Sequence, residues 1–319
     1  MNSRYIQTHF AVIGILIMLL SGACADDDDI RAEPTSDHLQ YFGFTLIDTY
    51  WDDPTDGVAK TNYADEVNGF SNIADILVVN PTDDITGRVK YFDSLEMKAL
   101  IHLHELFFET DGVNSPSGAD YKLRTDYRER WEAFISLNQS VLTPGTIAAY
   151  YIGEEPTWNG ITSSELEAAV NLLEETHPAI PTMIVEAYPA LADLQVPENA
   201  DWIGFDHYFI ADPARNPGYL QELELLKSKF SSESQRLVVV MDTHYISFAH
   251  DGFGGISLDN MDEVAQSYYT LAKRETQTVA LIGYFWPNGF DHSSAIGARS
   301  MPDHVKETYY RMGQEITGK

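Results

Sequence analysis

The chain has 319 residues and a formal charge of −29 at pH 7, which excludes nucleic acid and anionic membrane surfaces as partners. Hydrophobic residues make up 44% and aromatics 12%, enough for a large core and against disorder. The single cysteine, Cys24, excludes an internal disulfide and a thiolate metal cluster.

The first element is a targeting segment, residues 1–23. Arg4 supplies its positive end, and Phe10 to Leu20 is an apolar run too short for a comfortable membrane span. LLSGAC then resembles a bacterial lipoprotein signal, cut just before a cysteine that becomes lipidated; Ser21 stands where the pattern carries an aliphatic residue. An ordinary secretory signal, cut near Ala23 or Ala25, is the alternative. Residues 24–38, beginning CADDDDIRAEPTSD, form an acidic tether with no apolar periodicity. The expected location is the bacterial cell envelope, as an outer-membrane lipoprotein or a secreted protein. The expected membrane contact is through the lipid alone, and the expected state is a monomer.

Residues 39–319 repeat one pattern. Eight short apolar runs fall at 41–51, 73–81, 98–108, 146–156, 181–189, 200–209, 236–246 and 279–289. They are continuous rather than alternating, as strands buried on both faces must be. Helical stretches separate them: 126–142; 162–178, which opens on a Thr/Ser cap with Glu165 and stops at Pro178; 216–230; 260–275; and 301–316. Eight β-α units predict an α/β fold, a single (β/α)8 TIM barrel. A doubly wound open sheet would show a Gly-rich phosphate loop after the first strand, and LIDTYWDDP has none.

In such a barrel the C-terminal strand ends form the active face. Read in order, they offer Asp48, Tyr50 and Trp51; Asn80; His102, His104 and Glu105; Glu154 and Glu155; Glu186 and Tyr188; Asp206, His207 and Tyr208; Asp242, His244 and Tyr245; and Trp286 and Asn288. Two adjacent glutamates ending an apolar strand are costly unless they have a task, because burial and like charge both raise a carboxyl pKa. A salt-bridge site for nearby Arg or Lys is the plain alternative. His102-x-His104 has the spacing of a metal pair. Metal-dependent barrel amidohydrolases, however, carry that pair on the first strand and further histidines on the fifth and sixth. The first and fifth strands here have none, so no metal or other cofactor is expected.

Four motifs in strand order resemble the barrel glycoside hydrolases whose fourth strand ends in Asn-Glu-Pro. GEEP (153–156) stands at that motif, VVVMDTHY (238–245) at the seventh strand, IGFDHYF (203–209) at the sixth and GYFWPNG (283–289) at the eighth. The resemblance implies a carbohydrate substrate, Glu155 as acid/base, Glu154 in place of the asparagine, and Asp242 where the group carries a nucleophilic glutamate. It further implies a sugar cleft lined by Asp48, Trp51, His104, Trp158, Asp206, His207, Tyr208, His244, Tyr245, Trp286 and Asn288. Asp242 is one methylene shorter than glutamate. A carboxylate gap of about 5–5.5 Å suits retention and about 6.5–9.5 Å suits inversion, so the stereochemistry stays open. Two adjacent acids also resemble substrate-assisted hexosaminidases, in which Glu154 would orient an acetamide and Asp242 would not be needed. A non-catalytic glycan-binding lipoprotein is the reading from another class; it would be expected to lack one of the two acids.

Overall fold

The computed structural model describes residues 38–319. The expected targeting segment, Cys24 and the expected tether up to residue 37 lie outside the described residues. Ten strands follow in chain order: β1 (Tyr41–Asp48), β2 (Ile73–Leu77), β3 (Lys98–His102), β4 (Phe108–Gly112), β5 (Asp120–Leu123), β6 (Ile147–Glu154), β7 (Thr182–Ala187), β8 (Trp202–Asp206), β9 (Arg236–Asp242) and β10 (Thr278–Tyr284). Eight of them close a parallel barrel in the order β1-β10-β9-β8-β7-β6-β3-β2, and β4 pairs with β5 as a separate antiparallel hairpin. The fold is a single (β/α)8 barrel.

The third apolar run is shorter as a strand than its composition suggests. β3 stops at His102, and His104–Phe107 turns into a helix that buries His104, Leu106 and Phe107. The hairpin β4–β5 follows directly, starting at Phe108, the last residue of that run.

The five helices expected from the pattern form where it places them, each with buried apolar residues on one face, and two of them open on a side-chain cap. Ser163–Thr176 is opened by a capping box: the Thr162 side chain accepts the Glu165 N–H, and Glu165 returns the bond to the Thr162 N–H. Asn216 caps Pro217–Lys227 in the same way through the Tyr219 N–H. Met261–Arg274 and Asp303–Thr317 complete the wall beside β9, β10 and β1.

Two layers of apolar side chains result. One fills the space between strands and helices. The other plugs the barrel interior with Ile73, Leu100, Met183, Val185, Trp202, Val238, Val240 and Ile282 among others. Partly buried Tyr151, Tyr208 and Tyr284 pack on this plug. Tyr284 ends β10, Tyr208 stands just past β8, and Tyr151 in β6 pairs with His102 at the end of β3, so they floor the barrel mouth.

Candidate active site

The backbone explains how two adjacent glutamates reach one cavity. In a regular strand, neighbours point to opposite faces. Here the β6–β7 register shifts between Tyr151 and Gly153, and Glu155 takes a left-handed φ of 45°. Alternation is broken, so Glu154 leans to β3 on one side and Glu155 to β8 on the other. A non-glycine residue at positive φ is strained and needs a rigid surround. The turn is held by Glu155 N–H to Val185 O at 2.7 Å and Asn159 N–H to Glu155 O at 2.8 Å. The Asn159 side-chain amide also donates to Glu154 O at 3.0 Å.

The two carboxyls sit in opposite electrostatic states. Burial, the Asp206 carboxylate and Glu154 together push Glu155 far above the usual carboxylate range. Asp206 is raised too, mainly by burial, against hydrogen bonds with Glu155 and Tyr208. Two carboxyls in hydrogen-bond contact cannot both ionise, so the pair shares one proton near neutral pH. For Glu154, burial alone would raise the pKa, but the charge of His102 overcomes it and holds Glu154 down to about 2. Glu154 Oε2 lies 3.0 Å from His102 Nε2, with 45% of the Glu154 side chain still exposed. His102 itself stacks on Tyr151, ring centres 4.6 Å apart. The mouth thus holds a protonated carboxyl beside an ionised, accessible one.

Tyr208 and Tyr284 stack at 5.0 Å and 13°, and the Tyr284 hydroxyl donates to Asp291 Oδ2 at 2.9 Å. This tyrosine pair borders the Glu155–Asp206 pair: Glu155 and Asp206 both act on Tyr208, and Glu155 acts on Tyr284.

Asp242 is elsewhere in character. It has no exposed surface. Its Oδ2 accepts the Phe209 N–H at 2.9 Å, and its Oδ1 faces His244 Nδ1 at 3.2 Å and His250 Nε2 at 3.3 Å. The His250 tautomer follows from geometry. Its Nδ1 accepts the Ile246 N–H at 2.9 Å, so the ring proton is on Nε2, directed at Asp242. Burial pulls the Asp242 pKa up, but the His244 and His250 contacts win and hold it well below the carboxylate range. Asp242, His244 and His250 bring one ligand atom each within 4.8 Å of one another. The same contacts make a hydrogen-bonded carboxylate flanked by two imidazoles.

The remaining residues expected in the cleft divide. Trp51 stands at the rim, its Nε1–H donating to Asn288 O at 3.0 Å and its ring edge-on to Phe290. Trp158 is half-buried just past Glu155. Asp48 is buried against Arg88 Nε at 2.7 Å. His104 is buried between Phe108 and Tyr121, and burial takes its pKa down to about 4. Four others differ from expectation. Trp286 turns into the helical layer, 4.9 Å from Phe44, and donates to Glu66 at 2.9 Å. Asn288 is locked to Asp53, Thr55 and Ser300. His207 points outward, with Nδ1 2.6 Å from Glu222 and its ring against Tyr188 at 3.7 Å. Tyr245 is buried against His250. The reason is shared: β8, β9 and β10 end at Asp206, Asp242 and Tyr284, and past a strand end the inside-outside alternation no longer holds. Tyr284 continues the inward series Ala280, Ile282, and that parity is the signal that could have selected it over Trp286. Glu186 and His102 stood among the strand ends but were not singled out for the site. His250, in a Gly-rich loop, carries no such signal.

No protein-family model matches the sequence, and no curated protein matches it. Solved structures do. A glucosidase from Croceicoccus marinus superposes with a TM-score of 0.58 at 13% identity, covering 88% of this chain and 67% of that one. A β-1,4-mannanase gives 0.56 at 12% identity, covering 86% and 99%. Xylanase 10B from Thermotoga petrophila gives 0.53 at 13%, covering 86% and 94%. At these identities the likeness is one of fold: the same (β/α)8 barrel.

Proposed function

We propose that the protein hydrolyses O-glycosidic bonds, with Glu155 as the proton donor. The observation that carries this reading is the pairing at the end of β6: a carboxyl kept protonated by Asp206 and burial, next to an ionised carboxylate held by His102. Glycoside cleavage needs a proton for the leaving oxygen and negative charge near an oxocarbenium-like anomeric carbon. Glu155 supplies the first and Glu154 the second. Water then adds to the anomeric carbon, and its proton restores Glu155. The barrel shared with a glucosidase, a mannanase and a xylanase is consistent with such a task.

In this reading Asp242 supports the site rather than reacting in it, since it has no exposed surface and its oxygens already accept internal donors. The same observation favours a second reading, in which the substrate's own acetamide attacks and Glu154 orients it. Comparing 2-acetamido with 2-hydroxy glycosides separates the two. Tyr208 and Tyr284 offer ring faces to sugar C–H surfaces. Glu105, Glu154, Asp206 and Asp291 make the mouth acidic, which disfavours polyanionic chains. We further propose that Cys24 is acylated and tethers the barrel at the cell envelope.

The test is a screen of the recombinant protein against a polysaccharide panel with product sizing, beside Glu155→Gln. Shortened products from wild type alone support the proposal. Tight binding without any turnover supports a glycan-holding protein instead.

A further inference from the structure

We propose that Glu186, on β7, is a positioning residue that sets the geometry and the proton of Glu155. This rests on the reading of Glu155 as donor. Glu186 is fully buried, yet no Lys or Arg among the described residues pairs with it. Its carboxylate instead accepts backbone N–H groups: Thr157 at 2.8 Å on Oε2, and Trp158 at 3.1 Å and Ala187 at 3.0 Å on Oε1. Thr157 and Trp158 belong to the turn that leaves Glu155, the residue at φ 45°. Buried backbone donors must be satisfied, and a charged acceptor satisfies them strongly. Glu186 therefore ties the strained turn to the neighbouring strand two and three residues beyond the donor.

Its charge acts on the same carboxyl. The groups facing Glu155 are Glu154 on its own strand, Glu186 on β7 and Asp206 on β8, all acidic, with the neutral hydroxyls of Tyr151, Tyr208 and Tyr284 around them. Glu186 adds like charge to both members of the Glu155–Asp206 pair. A donor must be protonated to act, so activity falls as pH rises through its pKa. Removing the Glu186 charge lowers that pKa and moves the basic limb of the profile to lower pH.

The experiment compares Glu186→Gln with Glu186→Asp. In Glu186→Gln, kcat on poor leaving groups should fall about 10²-fold, as for a misplaced reacting group, while activated aryl glycosides suffer less and the basic limb shifts down. Glu186→Asp keeps the charge but shortens the reach; its basic limb should stay in place while kcat falls. Unchanged kcat in both variants, or an unmoved basic limb in Glu186→Gln, overturns the inference. Should Glu186→Gln not fold, Glu186→Asp decides alone: an unchanged kcat on poor leaving groups overturns it. Infrared titration of the carboxyl band that Glu155→Gln deletes provides a readout free of turnover. That band should titrate at lower pH in Glu186→Gln even if the wild type cleaves no saccharide tested, so failure of the hydrolase reading and failure of this one are distinguishable.

Discussion

Glu154 and His102 meet at 3.0 Å across the neighbouring strands β6 and β3. This contact makes the first of two adjacent glutamates an anion while the second keeps its proton. Replacing His102 with Ala should raise the Glu154 pKa. If Glu154 must be ionised, the acidic limb of the pH–kcat profile should then move to higher pH, and Glu154→Gln should lose turnover on every substrate. A profile unchanged in His102→Ala removes this contact from the chemistry.

Asp242 gives a stability prediction. Its folded pKa is depressed, so its contribution is complete above the unfolded carboxylate value near about 4 and is lost as pH falls through the folded value. His244 is shifted the other way, with burial lowering its pKa and Asp242 raising it more. Its contribution is complete below about 6.5 and is lost as pH rises through the folded value. Asp242→Asn should cost about 3–5 kcal/mol, as for a broken buried pair, and the loss of Tm should be larger at mildly acidic than at alkaline pH. A variant with unchanged Tm and abolished turnover would instead make Asp242 the reacting carboxylate.

The aromatic residues separate by measurement. Trp286→Ala should destabilise by about 3–5 kcal/mol with KM unchanged, because its ring packs on Phe44 and Phe70. Tyr284→Ala should raise KM severalfold, the scale of one aromatic face. The reverse pattern would return Trp286 to the cleft.

Much of this was legible in the sequence. Strands buried on both faces must be apolar throughout, and helices between them carry one apolar stripe, so eight repeats and the barrel could be read directly. GEEP was legible because two acids after an apolar run are costly. The rest depends on where each strand stops. LHELFF reads as strand continuation but forms a helix, and FWPNG reads as a strand end although the chain has already turned outward. The environment of Asp242 is built by the Phe209 N–H and by His250, whose loop carries no local pattern. Asp206 became the partner of Glu155 only through the packing of β6, β7 and β8.

Cys24 should carry acyl chains at the mature N-terminus. Mass spectrometry of the native protein should find them, and an unmodified N-terminus beyond Cys24 would contradict the anchor.

The most direct test of the account is the leaving-group dependence of Glu155→Gln. Wild type should release shorter saccharides from a neutral polysaccharide. Glu155→Gln should lose about 10²–10⁴-fold on that substrate, the usual worth of a general acid, and far less on activated aryl glycosides, whose leaving groups need little protonation. Equal losses on both kinds of substrate, or wild-type activity in Glu155→Gln, would contradict Glu155 as the proton donor.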